Sequence, residues 1–270
     1  MNLSKANYAK SFIGLVAMIA IGAGCSAESE ATESASPEAV NQEIVSNLVK
    51  AGFPADDIME VDGKVYVGRD AEVSLAASRE MLQSDSSESK EQYRTTNLVG
   101  SNVRVICVNG SAFTGSFSTA LDNSIANYNN LGLTFSLRRT TGSTSGCNAT
   151  ITGRLTSGSA GGSSGFPSGG LPFNTINIAS STSQYGTAVL THVITHEIGH
   201  TIGFRHTDYF NRSISCGSGG NEGSSGVGAI HISGTPTGAT AGGSLMNSCF
   251  RSSESGRFLG ADVTALQTIY

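Results

Sequence analysis

Eleven consecutive residues constrain this chain more than all the others: His196-Glu197-Ile198-Gly199-His200-Thr201-Ile202-Gly203-Phe204-Arg205-His206. Residues four apart on a helix lie one turn apart on the same face, about 6 Å along the axis. His196 and His200 can therefore converge on one zinc ion at about 2.0–2.1 Å. Glu197 projects beside that ion, where its carboxylate can take a proton from a water held there. Ile194, Ile198 and Ile202 repeat at the same spacing on the other side and anchor the helix. The next helical turn would carry a third ligand away. Gly203 can adopt positive φ and end the helix, which lets His206 return to the ion. Three neutral imidazoles leave a fourth position open, the pattern of a catalytic rather than a structural zinc. His192 extends the spacing backwards but stands about 12 Å along the axis from His200; it reads as a rim residue. Asp208 is a candidate acceptor for a ligand ring nitrogen. Tyr209 is a weaker candidate to steady an oxyanion, and His231 reads as surface.

The first 25 residues set the compartment. Lys5 and Lys10 precede an apolar run from Phe12 to Ala23, and Cys25 follows. The run is too short to span a membrane and has the layout of a secretory signal. Ala23-Gly24-Cys25 resembles a bacterial lipobox, although Gly22 departs from the bulky aliphatic residue usual there. The expectation is a lipid at Cys25 that anchors the chain to a membrane surface, with ordinary signal cleavage and secretion as the alternative. The remaining cysteines are Cys107, Cys147, Cys216 and Cys249. An even number in an exported chain implies two disulfides out of three possible pairings; chain order favours Cys107–Cys147 and Cys216–Cys249.

Charge divides the rest. Residues 26–98 carry 15 acidic and 6 basic side chains, whereas 99–270 carry 6 and 8 and no lysine. No basic cluster exists, so nucleic acid is excluded as a partner. Residues 26–38 are acidic and poor in large apolar groups, and read as a linker. Residues 39–92 hold a short helix around Ile44, Leu48 and Val49, a short strand at 64–67, and a polar linker over 83–92. This piece is too small to bury a core alone and is expected to be a pro-segment or accessory region. The remaining 93–270 mixes strand alternation (Val103, Val105, Cys107) with helical spacing (Phe117, Leu121, Ile125, Tyr128). A Gly- and Ser-dense loop follows over 156–172, then a strand at Asn174–Ala179, the helix that bears the histidines, and a final helix through Val263, Leu266 and Ile269. Without a regular βαβ repeat the class is α+β. The strand at Asn174–Ala179 is the candidate edge for pairing with an extended peptide.

The extended histidine motif resembles the metzincin zinc peptidases, and Ser244-Leu245-Met246-Asn247 resembles their Met-turn. The HEIGH spelling, His206-Thr207-Asp208-Tyr209, Gly165-Phe166-Pro167, Gly52-Phe53-Pro54 and Gln92-Tyr93-Arg94-Thr95 are most similar to the dual-action HEIGH metallo-peptidases. The resemblance spans about residues 40–270 and is strongest from 192 to 250. It implies a mixed sheet with an active-site helix and a small irregular C-terminal subdomain. It also implies His196, His200 and His206 as ligands, Glu197 as base, and Met246 as an apolar floor beneath the ion. Ser248 stands where astacin-like enzymes place a metal-binding tyrosine, so that residue is missing here. With Cys25 used for lipid, no cysteine is left to cap the metal in a latent form; by analogy with astacin pro-segments, Asp70 is the acidic residue to consider.

The implied function is an exported zinc endopeptidase acting on protein or peptide substrates. Two other functions fit: a surface lipoprotein with an inactive, zinc-stabilised binding domain, and a zinc amidase acting on cell-wall peptides. Glu197 argues against the first, because a structural site has no use for a base. Loops 156–172 and 216–243 leave the second open.

Overall fold

A computed structural model describes residues 36–82, 92–223, 229–236 and 238–270. The signal segment, Cys25 and nearly all of the acidic linker lie outside the described residues. The elements are α1 (Pro37–Lys50), β1 (Met59–Val61), β2 (Lys64–Val67), β3 (Ala71–Glu72), α2 (Leu75–Met81), β4 (Tyr93–Arg94), β5 (Val105–Asn109) and α3 (Gly115–Asn129). There follow β6 (Ser136–Thr140), β7 (Ala149–Thr156), β8 (Gly162–Gly165), β9 (Thr175–Ala179), a 3₁₀ turn at Ser180–Tyr185, α4 (Gly186–Thr201), α5 (Ser213–Cys216), β10 (Ile230–His231) and α6 (Gly260–Ile269). None of the described helices is long and apolar enough to cross a membrane.

Eight strands form one mixed sheet in the order β1-β2-β3-β8-β9-β7-β5-β6. The half formed by β9, β7, β5 and β6 is parallel. Ile106, Cys107 and Val108 of β5 are all buried, as expected of a parallel strand covered on both faces. The helical spacing of Phe117, Leu121, Ile125 and Tyr128 emerges as the buried face of α3. That face packs on α4, where the Tyr128 hydroxyl donates to the Thr195 carbonyl at 2.8 Å. Ile194, Ile198 and Ile202 are fully buried; burying such a side chain contributes roughly 1.5–3 kcal/mol. The α+β class follows from this sheet and its helices.

Two expectations need correction. The stretch 156–172 is not loop throughout, because Gly162–Gly165 forms β8, antiparallel to β9. Its residues are Gly-Ser-Ser-Gly, small because the strand is pressed against α4, so it shows no apolar alternation. Consequently β9 is an interior strand and not an edge. The free side of β8 is taken in turn by β3, which pairs parallel to it with Ala71 opposite Ser164 and Glu72 opposite Gly165.

Residues 36–82 are folded onto the rest, and the described residues form one compact unit. Ser36 caps α1 by accepting from Ala39 N at 3.2 Å, and Pro37 opens the helix, a favoured start. The small core of this piece includes Leu48, Val65, Val67 and Met81 but is completed by Phe166 from beyond β8. Glu80 of α2 accepts from Gly169 N at 2.8 Å and from Asn97 Nδ2 at 3.0 Å, tying the helix to the 165–171 loop.

The structure closes Cys107–Cys147 and Cys216–Cys249, across 40 and 33 residues. The first ties β5 to the turn before β7, the second ties α5 to the segment after Met246. Non-reducing peptide mapping is expected to recover these two pairs, each stabilising the fold by about 3–5 kcal/mol on a chain-entropy argument. Free thiols, or Cys107 joined to Cys249, would refute the pairing.

Candidate metal centre

Helix α4 presents His196, Glu197 and His200, all buried, on the side that faces β8 and the C-terminal segment. After Thr201 the chain reverses at Gly203, whose φ is +111°; a Cβ there would lie 2.5 Å from the Asn97 carbonyl oxygen. Only glycine combines that dihedral with so close an approach. The reversed chain is held by β4 and its neighbours: Thr95 N donates to Gly203 O and Arg205 N to Tyr93 O, each at 2.8 Å. His206 is thereby returned to the end of α4.

The three rings converge through Nε2. His206 Nε2 lies 3.2 Å from both His196 Nε2 and His200 Nε2. Each Nδ1 faces an acceptor: Leu245 O at 2.9 Å for His196, Phe204 O at 2.8 Å for His200 and Glu222 Oε1 at 2.8 Å for His206. A carbonyl oxygen can only accept, so the Nδ1 atoms of His196 and His200 carry the ring protons and their Nε2 lone pairs point inward. Asp70, from the turn between β2 and β3, completes the cluster. Its Oδ2 is 3.0 Å from His206 Nε2 and 3.8 Å from His196 Nε2, and its Oδ1 is 3.7 Å from His200 Nε2.

These four residues fit a metal ion. Their ligand atoms lie within 4.8 Å of one another, and Asp70 Oδ1 is buried without a hydrogen-bond partner. Converged lone pairs and an unpaired carboxylate oxygen repel one another unless a cation lies between them. Tetrahedral zinc at about 2.0–2.1 Å requires nitrogen atoms roughly 3.3 Å apart, close to the spacing found.

Around the cluster, Glu197 is buried, and its Oε2 accepts from Ser164 Oγ of β8 at 2.8 Å. Burial, and next the charge of Asp70, push its carboxyl well above the usual range. The Met246 sulfur packs over Gly199, where a Cβ would lie 2.6 Å from it. The turn that carries it is fixed by Asp262, which accepts from Ser244 Oγ at 2.5 Å and Leu245 N at 3.0 Å. A cleft of about 270 Å³ opens beside Glu197, lined among others by Asp70, His192, His196, Ser248 and Phe250.

The structure redistributes several roles. Asp208 meets none of the three rings; its carboxylate accepts from Ser248 N at 2.9 Å and Ser215 Oγ at 2.5 Å. It pins the segment after Met246 to α5, because the chain turns it away from the rings. The carboxylate on His206 is instead Glu222, which sequence reasoning missed. Its one signal was rarity, as one of six acidic residues beyond position 98. Ser164 was hidden by the low complexity of β8. Tyr209 packs edge-on to Tyr93 at 4.4 Å and does not line the cleft. His231 Nε2 meets Thr235 Oγ1 at 3.1 Å, also away from it.

His192 lines the cleft but stays out of the ligand cluster. Burial lowers its pKa to about 3, so it is neutral at neutral pH. His192→Ala is expected to leave metal stoichiometry intact. Because the unfolded chain binds the extra proton between its ordinary pKa near 6.5 and about 3, stability rises with pH across that window. Melting curves of the variant should show a flatter acid limb; an unchanged slope, or loss of the metal from a folded variant, counts against this reading.

Among solved structures, the chain is similar to myroilysin, at 14% identity over 65% of this chain and 95% of that one, with a TM-score of 0.38. It is also similar to high choriolytic enzyme 1, a hatching enzyme zinc-protease from Oryzias latipes (Medaka fish), at 15% identity over 64% and 93%, with a TM-score of 0.35. No curated protein sequence matches it significantly. The family model for dual-action HEIGH metallo-peptidases matches residues 65–270, a span that includes Asp70, all three histidines, Glu222 and Met246. This chain belongs to the dual-action HEIGH metallo-peptidase family.

Proposed function

We propose that this metallopeptidase is an exported zinc endopeptidase kept latent by its own N-terminal residues. The observation that carries the reading is the convergence of three histidine Nε2 atoms beside a buried Glu197, with Asp70 inserted among them. His196, His200 and His206 would hold the ion; three imidazoles suit zinc. When bound, zinc lowers the pKa of a coordinated water to about 7 and polarises the scissile carbonyl.

Glu197 takes a proton from the attacking water and passes it to the leaving amine. Ser164 orients its carboxylate. Met246 provides an apolar floor that excludes water from behind the ligand rings. Asp70, set among the three rings, would compete with a substrate carbonyl for the ion, and β3 covers the side of β8 where an extended peptide would add as a strand. Release of residues 39–92 would free both.

Export is supported by the layout of residues 1–25 and by the two disulfides, which form in an oxidising compartment; anchoring at Cys25 is supported by the lipobox-like Ala23-Gly24-Cys25 alone. Substrates are proteins or peptides. The test is metal analysis together with casein digestion by residues 93–270, with and without a chelator. One zinc per chain and chelator-sensitive digestion are expected; digestion indifferent to the chelator would remove the reading.

A further inference from the structure

Glu222 lies in a Gly- and Ser-rich stretch with no recognisable motif, yet it is fully buried. Its Oε1 accepts from His206 Nδ1 at 2.8 Å, Arg212 Nη1 at 2.7 Å and Ser248 Oγ at 3.1 Å. Its Oε2 accepts from Arg205 Nη2 at 3.4 Å. Taking a carboxylate out of water costs several kcal/mol unless opposite charges and hydrogen bonds compensate. Here two guanidiniums supply both. Arg205 is itself held in place, 5.0 Å from the centre of the Phe53 ring and 5.8 Å from those of Phe166 and Tyr209. His206 and two guanidiniums converge on one buried acid, with the Ser248 hydroxyl shared between it and Asp208, which is a built arrangement.

The three histidines differ in what restrains them. His196 and His200 sit on a buried helix, and their Nδ1 atoms meet backbone carbonyls. His206 stands beyond Gly203, off the helix, and its ring is met by an ionised side chain. An anionic acceptor fixes the tautomer and ring orientation and makes the opposite nitrogen a stronger ligand.

We propose that Glu222 is the positioning residue of the third metal ligand, holding His206 with Nδ1 protonated and Nε2 turned to the ion, while Arg205 and Arg212 hold the Glu222 carboxylate in place. The proposal rests on the metal reading given above. It also links the ligand to the N-terminal segment, because Arg212 Nη1 donates to the carbonyl of Gly68, two residues before Asp70.

The test measures zinc affinity of the full chain by competition with a chelator, and the visible spectrum after cobalt substitution. Glu222→Gln, folded by its melting curve, is expected to bind zinc about 10–100-fold more weakly and to shift the cobalt bands. A folded variant within about threefold of wild type, with an unchanged spectrum, overturns the proposal. Because Glu222→Gln leaves two guanidiniums uncompensated, the double variant Glu222→Gln/Arg212→Met is measured beside it; wild-type affinity there also overturns it. If neither variant folds, the ring ¹⁵N–¹H spectrum of the zinc-loaded wild type decides. One Nδ1–H proton well downfield of the other two supports a carboxylate partner, and three equivalent shifts overturn it. A wild-type chain that binds no zinc would instead refute the metal reading itself, so the two failures are distinguishable.

Discussion

Glu197→Gln is expected to retain about one zinc per chain while losing peptide hydrolysis by on the order of 10²–10⁴-fold, the usual contribution of a positioned general base. The reason is geometric. Glu197 follows His196 in the chain but is absent from the cluster of converging atoms; its carboxylate is turned to Ser164 of β8 instead. Glutamine keeps the shape and can still pair with the serine hydroxyl, so the fold and the three rings should be undisturbed. What it cannot do is accept a proton. Metal analysis and turnover on one peptide, for variant and wild type together, separate the two roles. A zinc-free but folded variant would show that Glu197 is a ligand, and near wild-type turnover would show that it is not the base.

Asp70→Ala is expected to raise the activity of residues 26–270 towards that of residues 93–270. Burial alone would push this carboxyl up, but His206 leads the imidazoles in holding it well below the ordinary range, which marks it as a charged partner of the cluster. Losing one member of a buried charged pair costs about 3–5 kcal/mol. Since about 1.4 kcal/mol is tenfold in an equilibrium, the docking equilibrium constant should fall by on the order of 10²–10⁴-fold. The N-terminal piece would still have the β3–β8 pairing, the Arg212–Gly68 bond and the Glu80–Gly169 bond to hold it, so activation by this one change should be incomplete. Equal activity of the long and short forms, before any substitution, would remove the latency idea and leave residues 39–92 as a spacer.

The convergence of His196, His200 and His206 was legible because they fall, with Glu197, within eleven contiguous residues. Over such a span helical geometry and one glycine determine where side chains point, whatever the rest of the chain does. The buried face of α3 and the two disulfides were legible for a similar reason, through local period and chain order. Asp208 shows where that reasoning stops. It is close to His206 in sequence and has the right chemistry, yet its carboxylate faces Ser215 and Ser248.

The groups that do meet the site come from further away: Glu222 lies 16 residues after His206, Ser164 lies 33 before Glu197, and Asp70 arrives on the turn between β2 and β3. Period and propensity describe how neighbours in the chain are arranged. They carry no information about which loop is brought against which helix. In β8 the packing also erased the local signal, since a strand pressed between α4 and β3 needs glycine and serine where a periodic reading looks for apolar residues. The sequence therefore determined which chemistry this chain can perform. Tertiary structure alone decided which carboxylate meets His206 and which one stands among the three rings, because both depend on contacts between segments that no local rule connects.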